Sequence, residues 1–242
     1  RAYWKKMYRP QNTVLALAGN YDWNTVVALA EKLLDKWSPD AFESRACTTN
    51  PVPVTLLTKE KDIEQIHLCA AFPGVPLGSD DVYPLSVLNN LFGGGMSSRL
   101  FQRIREEMGA AYSVYSFPST YTNCGTFTVY AGTSPETAQQ VADELLGQIR
   151  LLRDGGVTQE EFDMAKEQLK VSYVLGLESS SARMSAIGRS KLLRGHAVDP
   201  QDVIRKIEAV TKEDVERVAH RMFGRPFSAS AVGRNIDGLK LL

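Results

Sequence analysis

The sequence is short of cysteine, of net charge and of long apolar runs, and each shortage excludes a class of protein. Its 242 residues hold three cysteines, Cys47, Cys69 and Cys124, too few and too scattered for a disulfide framework. One must stay unpaired, which reads as a reducing, cytoplasmic compartment. Lys plus Arg total 28 and Asp plus Glu total 28, so the formal net charge is +0. That balance argues against a nucleic-acid partner, which rewards long-range positive charge. No stretch approaches the roughly 18 uninterrupted apolar residues of a membrane span, so no membrane partner is expected. The longest apolar run of note, Val14–Ala18, has the length of a strand. The chain begins with Arg1 and shows no charged-then-apolar signal segment, so its start reads as a processing point or an excised piece of a longer chain.

Metal and nucleophile chemistry are equally sparse. The three histidines, His67, His196 and His220, lie far apart, and no H-x-x-E-H, H-E-x-x-H or C-x-x-C occurs. His67 and Cys69 share a strand face, but simple alternation already places them there. No Ser stands in a G-x-S-x-G context, which removes support for a serine hydrolase.

What remains is an ordinary globular composition, 43% hydrophobic and 23% charged, which excludes disordered and fibrous classes. The length allows one large domain or up to two ordinary ones. Thr13–Ala18, ended by Gly19, predicts a buried strand, and Asp22 can cap a helix whose apolar face is Trp23, Val26, Val27, Ala30, Leu33 and Leu34. Residues 39–60 lack periodicity, contain Pro39, Pro51 and Pro53, and read as a linker.

Gln65–Phe72 alternates as a half-buried strand, with Ile66, Leu68, Ala70 and Phe72 on one side. Leu85, Leu88, Leu91 and Phe92 repeat at helical spacing up to Gly93-Gly94-Gly95. A second helix is expected from about Ser98 to Met108, with Leu100, Phe101, Ile104 and Met108 on its apolar side and Gly109 as its stop. Tyr112–Phe117 and Thr126–Ala131 read as strands.

Helical stripes dominate afterwards. One runs through Ala138, Val141, Leu145, Ile149 and Leu152; a capping box at Thr158–Glu161 opens another helix. Pro200 and Thr211–Asp214 mark two more starts, and Ser228–Val232 is a last strand. Blocks of this kind predict an α+β fold of two layers, a mostly antiparallel sheet with helices packed on one face.

One internal similarity organises the whole. Lys6–Pro10, a short apolar run, Gly19 and Asp22 resemble Arg221–Pro226, Ala229–Val232, Gly233 and Asp237 in the same order at nearly the same spacing. If the two are equivalent, the chain opens at the end of one repeat and closes at the end of a second.

Two places attract chemical interest. Gly93, Gly94 and Gly95, followed by Ser97 and Ser98, lack the Gly-Lys-Ser/Thr ending of a phosphate loop and follow a helix. A C-cap Gly and an N-cap Ser explain most of the pattern, and the surplus of glycine points to close backbone approach or a movable joint, a loop or hinge. Arg105 ends a helix and Tyr112 opens the next strand beyond Gly109, so the turn can set a guanidinium beside a phenol facing one cavity. Together they suit a carbonyl or a developing oxyanion. On spacing alone, a basic residue at a helix C-terminus and a tyrosine packed at a strand end is the plainer account.

The string from Phe92 through Gly93-Gly-Gly-Met-Ser-Ser-Arg-Leu-Phe-Gln-Arg-Ile-Arg105 to Tyr112 resembles the C-terminal-domain motif of the pitrilysin or insulinase family of zinc metallopeptidases, closest to its processing-peptidase branch. Residues 61–235 follow that domain's order of elements, and residues 1–38 look like the tail of the preceding homologous domain. The resemblance implies a tail at 1–38, a linker at 39–60 and a C-terminal peptidase-like domain at 61–242. In that family two homologous halves close around an extended peptide. The N-terminal half holds zinc through H-x-x-E-H plus a downstream Glu, and the C-terminal half supplies an Arg and a Tyr, here matched by Arg105 and Tyr112, that bind the substrate backbone and polarise the scissile carbonyl.

The resemblance therefore implies the substrate-binding half of a zinc metalloendopeptidase, with zinc in the complete enzyme and none bound by this chain. Its partners would be a peptide or protein substrate and the N-terminal half or a zinc-bearing subunit, as a homo- or heterodimer. The zinc-binding segment is missing from this sequence. A non-catalytic partner or core subunit that binds peptide or scaffolds an assembly is the alternative, and an H-x-x-E-H upstream of Arg1 would decide between them.

Overall fold

The computed structural model describes residues 1–37 and 54–241. Its elements run α1 (Ala2–Met7), α2 (Trp23–Leu34), β1 (Leu56–Glu60), β2 (Ile66–Pro73), α3 (Val82–Phe92), a π-helix (Phe101–Glu107), β3 (Ala111–Thr120), β4 (Gly125–Thr133), α4 (Ala138–Arg153), α5 (Gln159–Gly176), α6 (Ser180–Arg194), α7 (Pro200–Glu208), α8 (Lys212–Phe223) and β5 (Ser228–Gly233). Two compact units divide them. One takes residues 1–37 with 172–203, the other residues 54–171 with 204–241.

The second unit is the α+β layer pair that the periodicities predict. Its sheet runs β1-β5-β2-β4-β3, with β1 parallel to β5 and every other pair antiparallel. Leu68 of β2 faces Ala131 of β4 and Ala231 of β5 across the ladder, and all three are buried. Alternation along each strand thus makes one apolar face, and α3, α4 and α8 cover it. The expected stripe of α4, Ala138, Val141, Leu145, Ile149 and Leu152, is buried throughout.

Aromatic rings fill the middle. Phe72 stacks on Phe227 at 4.5 Å between centroids and meets Phe223 edge-on at 5.1 Å, and Phe223 also lies edge-on to Phe92 and Phe127. Phe72, Phe92, Phe127 and Phe223, all buried, each contribute about 1.5–3 kcal/mol through burial alone.

Helix starts follow the local chemistry. Thr158 and Glu161 exchange hydrogen bonds at the head of α5, as do Thr211 and Asp214 at the head of α8. Asp22 accepts from the Thr25 N–H at 2.8 Å and Ser179 from the Ala182 N–H at 3.1 Å. Among the described residues no helix is long and apolar enough to cross a membrane.

Two expectations fail. Thr13–Ala18 runs without a strand ladder among the described residues. A strand needs hydrogen bonds from a neighbour, and local apolarity cannot supply one. The stretch 39–60 ends in β1, an edge strand whose five residues are all exposed. Only a half-buried strand alternates, so periodicity misses a strand of this kind. The rest of that expected linker, residues 39–53, lies outside the described residues.

In the first unit, α2 and α6 contain no buried residue. Trp23 and Leu33 on the expected apolar face of α2 are 64% and 70% exposed. Compactness also groups Ser172–Val203 with this unit.

Candidate functional site

The Gly-rich turn anchors the site from below. The Gly93 carbonyl accepts the Ser116 N–H of β3 at 3.0 Å, and a Cβ on Gly93 would stand 2.5 Å from that nitrogen. A Cβ on Gly94 would stand 2.8 Å from Asn90 Cα. Close approach therefore accounts for both glycines. At Gly95 the nearest atom to such a carbon is Gln168 Nε2 at 3.5 Å, ordinary contact.

Ser98 is buried, and its hydroxyl donates back to the Gly95 carbonyl at 2.5 Å instead of accepting a helix N–H. Ser97 donates to Gln168 Oε1 at 3.2 Å, and Asn90 Nδ2 to the Ala165 carbonyl at 2.8 Å, so the turn is stitched to α5. The Ser116–Gly93 bond also protects the sheet edge, because β3 is its last strand. Gly93 occupies the Ser116 N–H, and Pro118 has none to offer.

From Ser98 the chain enters the expected helix, which is widened through Phe101–Glu107 into a π-helix closed by a Met108 N–H to Arg103 carbonyl bond of 3.1 Å. Leu100 and Ile104 are fully buried, whereas Phe101 and Met108 are only half-buried. Arg99, in its first turn, pairs with both oxygens of Glu161, at 2.5 and 2.6 Å, and also donates to the Gly156 carbonyl. Burial pushes the Glu161 carboxyl up, but hydrogen bonds from Arg99 and Thr158 outweigh it and hold the group below its ordinary range. Arg103 is likewise paired, with Glu107 at 2.6 Å and Glu144 at 3.0 Å. These ion pairs border a depression of about 390 Å³ that also takes in Gln102, Gln148 and Leu151.

Arg105 differs. It is exposed, makes no ion pair among the described residues and does not line that depression. Its guanidinium carbon lies 4.8 Å from the centroid of the Phe101 ring and 5.4 Å from that of Tyr112, within cation–π range of both.

Tyr112 reaches this position through a bulge. Val114 and Ser116 point to the buried side of β3, and regular alternation would send Tyr112 the same way. The register instead steps from Ala111 opposite Thr133 to Ser113 opposite Gly132, leaving Tyr112 as the extra residue. Gly109, at φ +59°, first turns the chain back in the left-handed region that favours glycine. Tyr112 ends 72% exposed, with no hydrogen bond to its hydroxyl among the described residues.

The two expected site residues are thus brought together, with their polar ends open to solvent. Phe101 and the bulge went unforeseen. Phe101 sits four residues before Arg105, which is the one sequence signal for their contact, and a bulge leaves none.

The open face of the same sheet carries aromatic residues too. Tyr130 lies 4.9 Å from Tyr115, and its hydroxyl is 2.7 Å from His67 Nδ1. Burial, then the neighbouring Tyr115, pushes the Tyr130 phenol up, and burial pushes up the Cys69 thiol beside it. Among the described residues no group of three or more His, Cys, Asp or Glu is placed to hold a metal ion.

Comparison with known proteins speaks to the family and the fold. A family model described as the peptidase M16 inactive domain matches residues 1–169. The uncharacterized zinc protease YmxG of Bacillus subtilis is 35% identical over 236 residues, 96% of this chain and 56% of YmxG. An uncharacterized zinc protease of Streptomyces coelicolor is 35% identical over 248 residues, 96% of this chain and 52% of that protein. The chain spans about half the length of these curated relatives.

Among solved structures, the peptidase M16 inactive domain from Pseudomonas fluorescens superposes with a TM-score of 0.80 at 20% identity, covering 90% of this chain and 52% of that one. A protease from Helicobacter pylori gives 0.79 at 19%, covering 89% and 53%. Identities this low speak for the fold alone. With the family model over more than half of its length, the chain belongs to the pitrilysin-type M16 peptidase family, as the C-terminal half that carries the inactive domain.

Proposed function

We propose that this chain is the substrate-holding half of a zinc metalloendopeptidase whose zinc sits on another half, in the same polypeptide or in a partner subunit. The donor set among the described residues does not fit a zinc ion, so no step is assigned to a metal on this chain. Relatives named as zinc proteases, of which this chain spans about half, support a zinc-bearing second half. In the same reading, residues 1–38 are the tail of a preceding homologous domain and 61–242 form the C-terminal domain, to whose sheet Leu56–Glu60 adds an edge strand. Support comes from the repeated order of helix, Arg-Pro, extended segment and glycine at Arg9-Pro10 and Arg225-Pro226.

The chain's own contribution is a pair of donors. A peptide carbonyl oxygen seated at the Arg105 and Tyr112 tips takes hydrogen bonds from a guanidinium and a phenol. As that oxygen gains negative charge during attack on its carbon, both bonds strengthen, so the pair favours the transition state over the bound peptide. One observation carries the reading: Arg99 and Arg103 on the same helix are held by carboxylates, while Arg105 is held by rings and keeps its donors free.

Peptide cleavage by this chain together with its zinc-bearing half tests the proposal. Arg105→Ala and Tyr112→Phe should each lower turnover by about 10²–10³, the usual cost of one oxyanion donor, with unchanged melting temperature. Full turnover in Arg105→Ala would leave the non-catalytic partner reading standing instead.

A further inference from the structure

We infer that Phe101 is a positioning residue for Arg105, acting as the ring that holds the guanidinium in place while Tyr112 remains available to the substrate. The inference rests on the reading of Arg105 as a substrate donor. An exposed arginine has a long flexible stem, and its fork is aimed only if something fixes its plane. Ion pairs do this for Arg99 and Arg103, but a carboxylate would occupy the very donors that a peptide carbonyl needs. An aromatic face holds the cation through its π-electrons and leaves the N–H edges free.

Of the two rings at Arg105, Phe101 is the nearer, at 4.8 Å against 5.4 Å for Tyr112. It is also the better anchored. Phe101 is half-buried, between the fully buried Leu100 and Ile104, whereas Tyr112 projects from a bulge and is 72% exposed. Phe101 has no polar atom to compete for the carbonyl, so its contribution is confined to the orientation of Arg105. The Tyr112 phenol can then engage peptide without releasing the arginine.

The test has two arms. In this chain, NMR of the Arg105 side chain should show its Hδ protons shifted upfield by the rings. The shift should fall in Phe101→Leu, which keeps apolar bulk, and return in Phe101→Trp. In the enzyme completed by the zinc-bearing half, Phe101→Leu should lower kcat about 3- to 10-fold, the range one partly exposed cation–π contact supports. KM and melting temperature should change little, and Phe101→Trp should restore turnover to within about 2-fold.

Should Phe101→Leu fold poorly, Phe101→Met carries the same comparison, since it also removes the ring while keeping apolar bulk, and the same losses of shift and of turnover are expected. Unchanged Arg105 shifts in Phe101→Leu would overturn the inference. So would full turnover in Phe101→Leu beside a large loss in Arg105→Ala. Full turnover in Arg105→Ala, with the NMR shifts behaving as expected, would instead sink the substrate reading while leaving the stacking intact.

Discussion

α8, Arg225-Pro226 and β5 follow one another as α1, Arg9-Pro10 and Thr13–Ala18 do, yet the two sets end in different surroundings. In the later set, Val215, Val218, Ala219, Met222 and Phe223 of α8 are buried, and β5 has a strand on each side. In the earlier set, Tyr3 and Trp4 of α1 stand exposed and Thr13–Ala18 has no ladder among the described residues; α2, which follows it, has no buried residue although its sequence is amphipathic. Periodicity states which face of an element favours burial. It does not supply the surface that does the burying.

The sharpest way to probe the difference is to empty each surface in turn. Phe127→Ala removes a fully buried ring from the sheet unit and should cost about 3–5 kcal/mol in chemical denaturation. A loss below about 1 kcal/mol would mean that this core is loosely packed and the contrast with α2 overstated.

A middle effect belongs to the Arg99–Glu161 pair, which lies within the sheet unit but near its surface. Glu161→Gln should cost about 1–2 kcal/mol at pH 7 through lost charge-assisted hydrogen bonds and a weakened capping box. Its sign with pH is set by the lowered carboxyl. The stability it supplies is complete above the ordinary glutamate range and is lost as the pH falls through the lower value in the folded chain. Acid titration of the melting temperature should therefore be flatter in Glu161→Gln than in the parent. Parallel curves would assign the acid sensitivity elsewhere, for instance to Asp81, also held low because hydrogen bonds from Arg217 and Arg221 outweigh the opposing effect of its burial.

The smallest effect should come from α2. Leu33→Ala should change the stability of this chain by no more than about 0.5 kcal/mol, since its side chain is mostly in water already. A large stability loss in the isolated chain would show that α2 is covered in solution, for example by a second copy.

Much of this molecule is legible in one sequence because it is local. Asp22, Thr158, Ser179 and Thr211 satisfy amides within their own first turn, so each helix start can be read from three or four consecutive residues. β2 is readable because a half-buried strand must alternate. Arg105 and Tyr112 were legible as a pair through the motif and the Gly109 break between them.

What the tertiary structure decided is of another kind. β1 became a strand only because β5 lies beside it, and Thr13–Ala18 stayed without a ladder for want of such a neighbour among the described residues. Of the three glycines in a row, Gly93 answers to the passage of β3 and Gly94 to the backbone of α3 at Asn90. The extra residue at Tyr112 turns its ring to the open side, where it meets the Arg105 guanidinium. Sequence by itself determined which residues cap, alternate and carry the charge. Register, bulges and neighbours, which depend on contacts between distant parts of the chain, decided where those residues point.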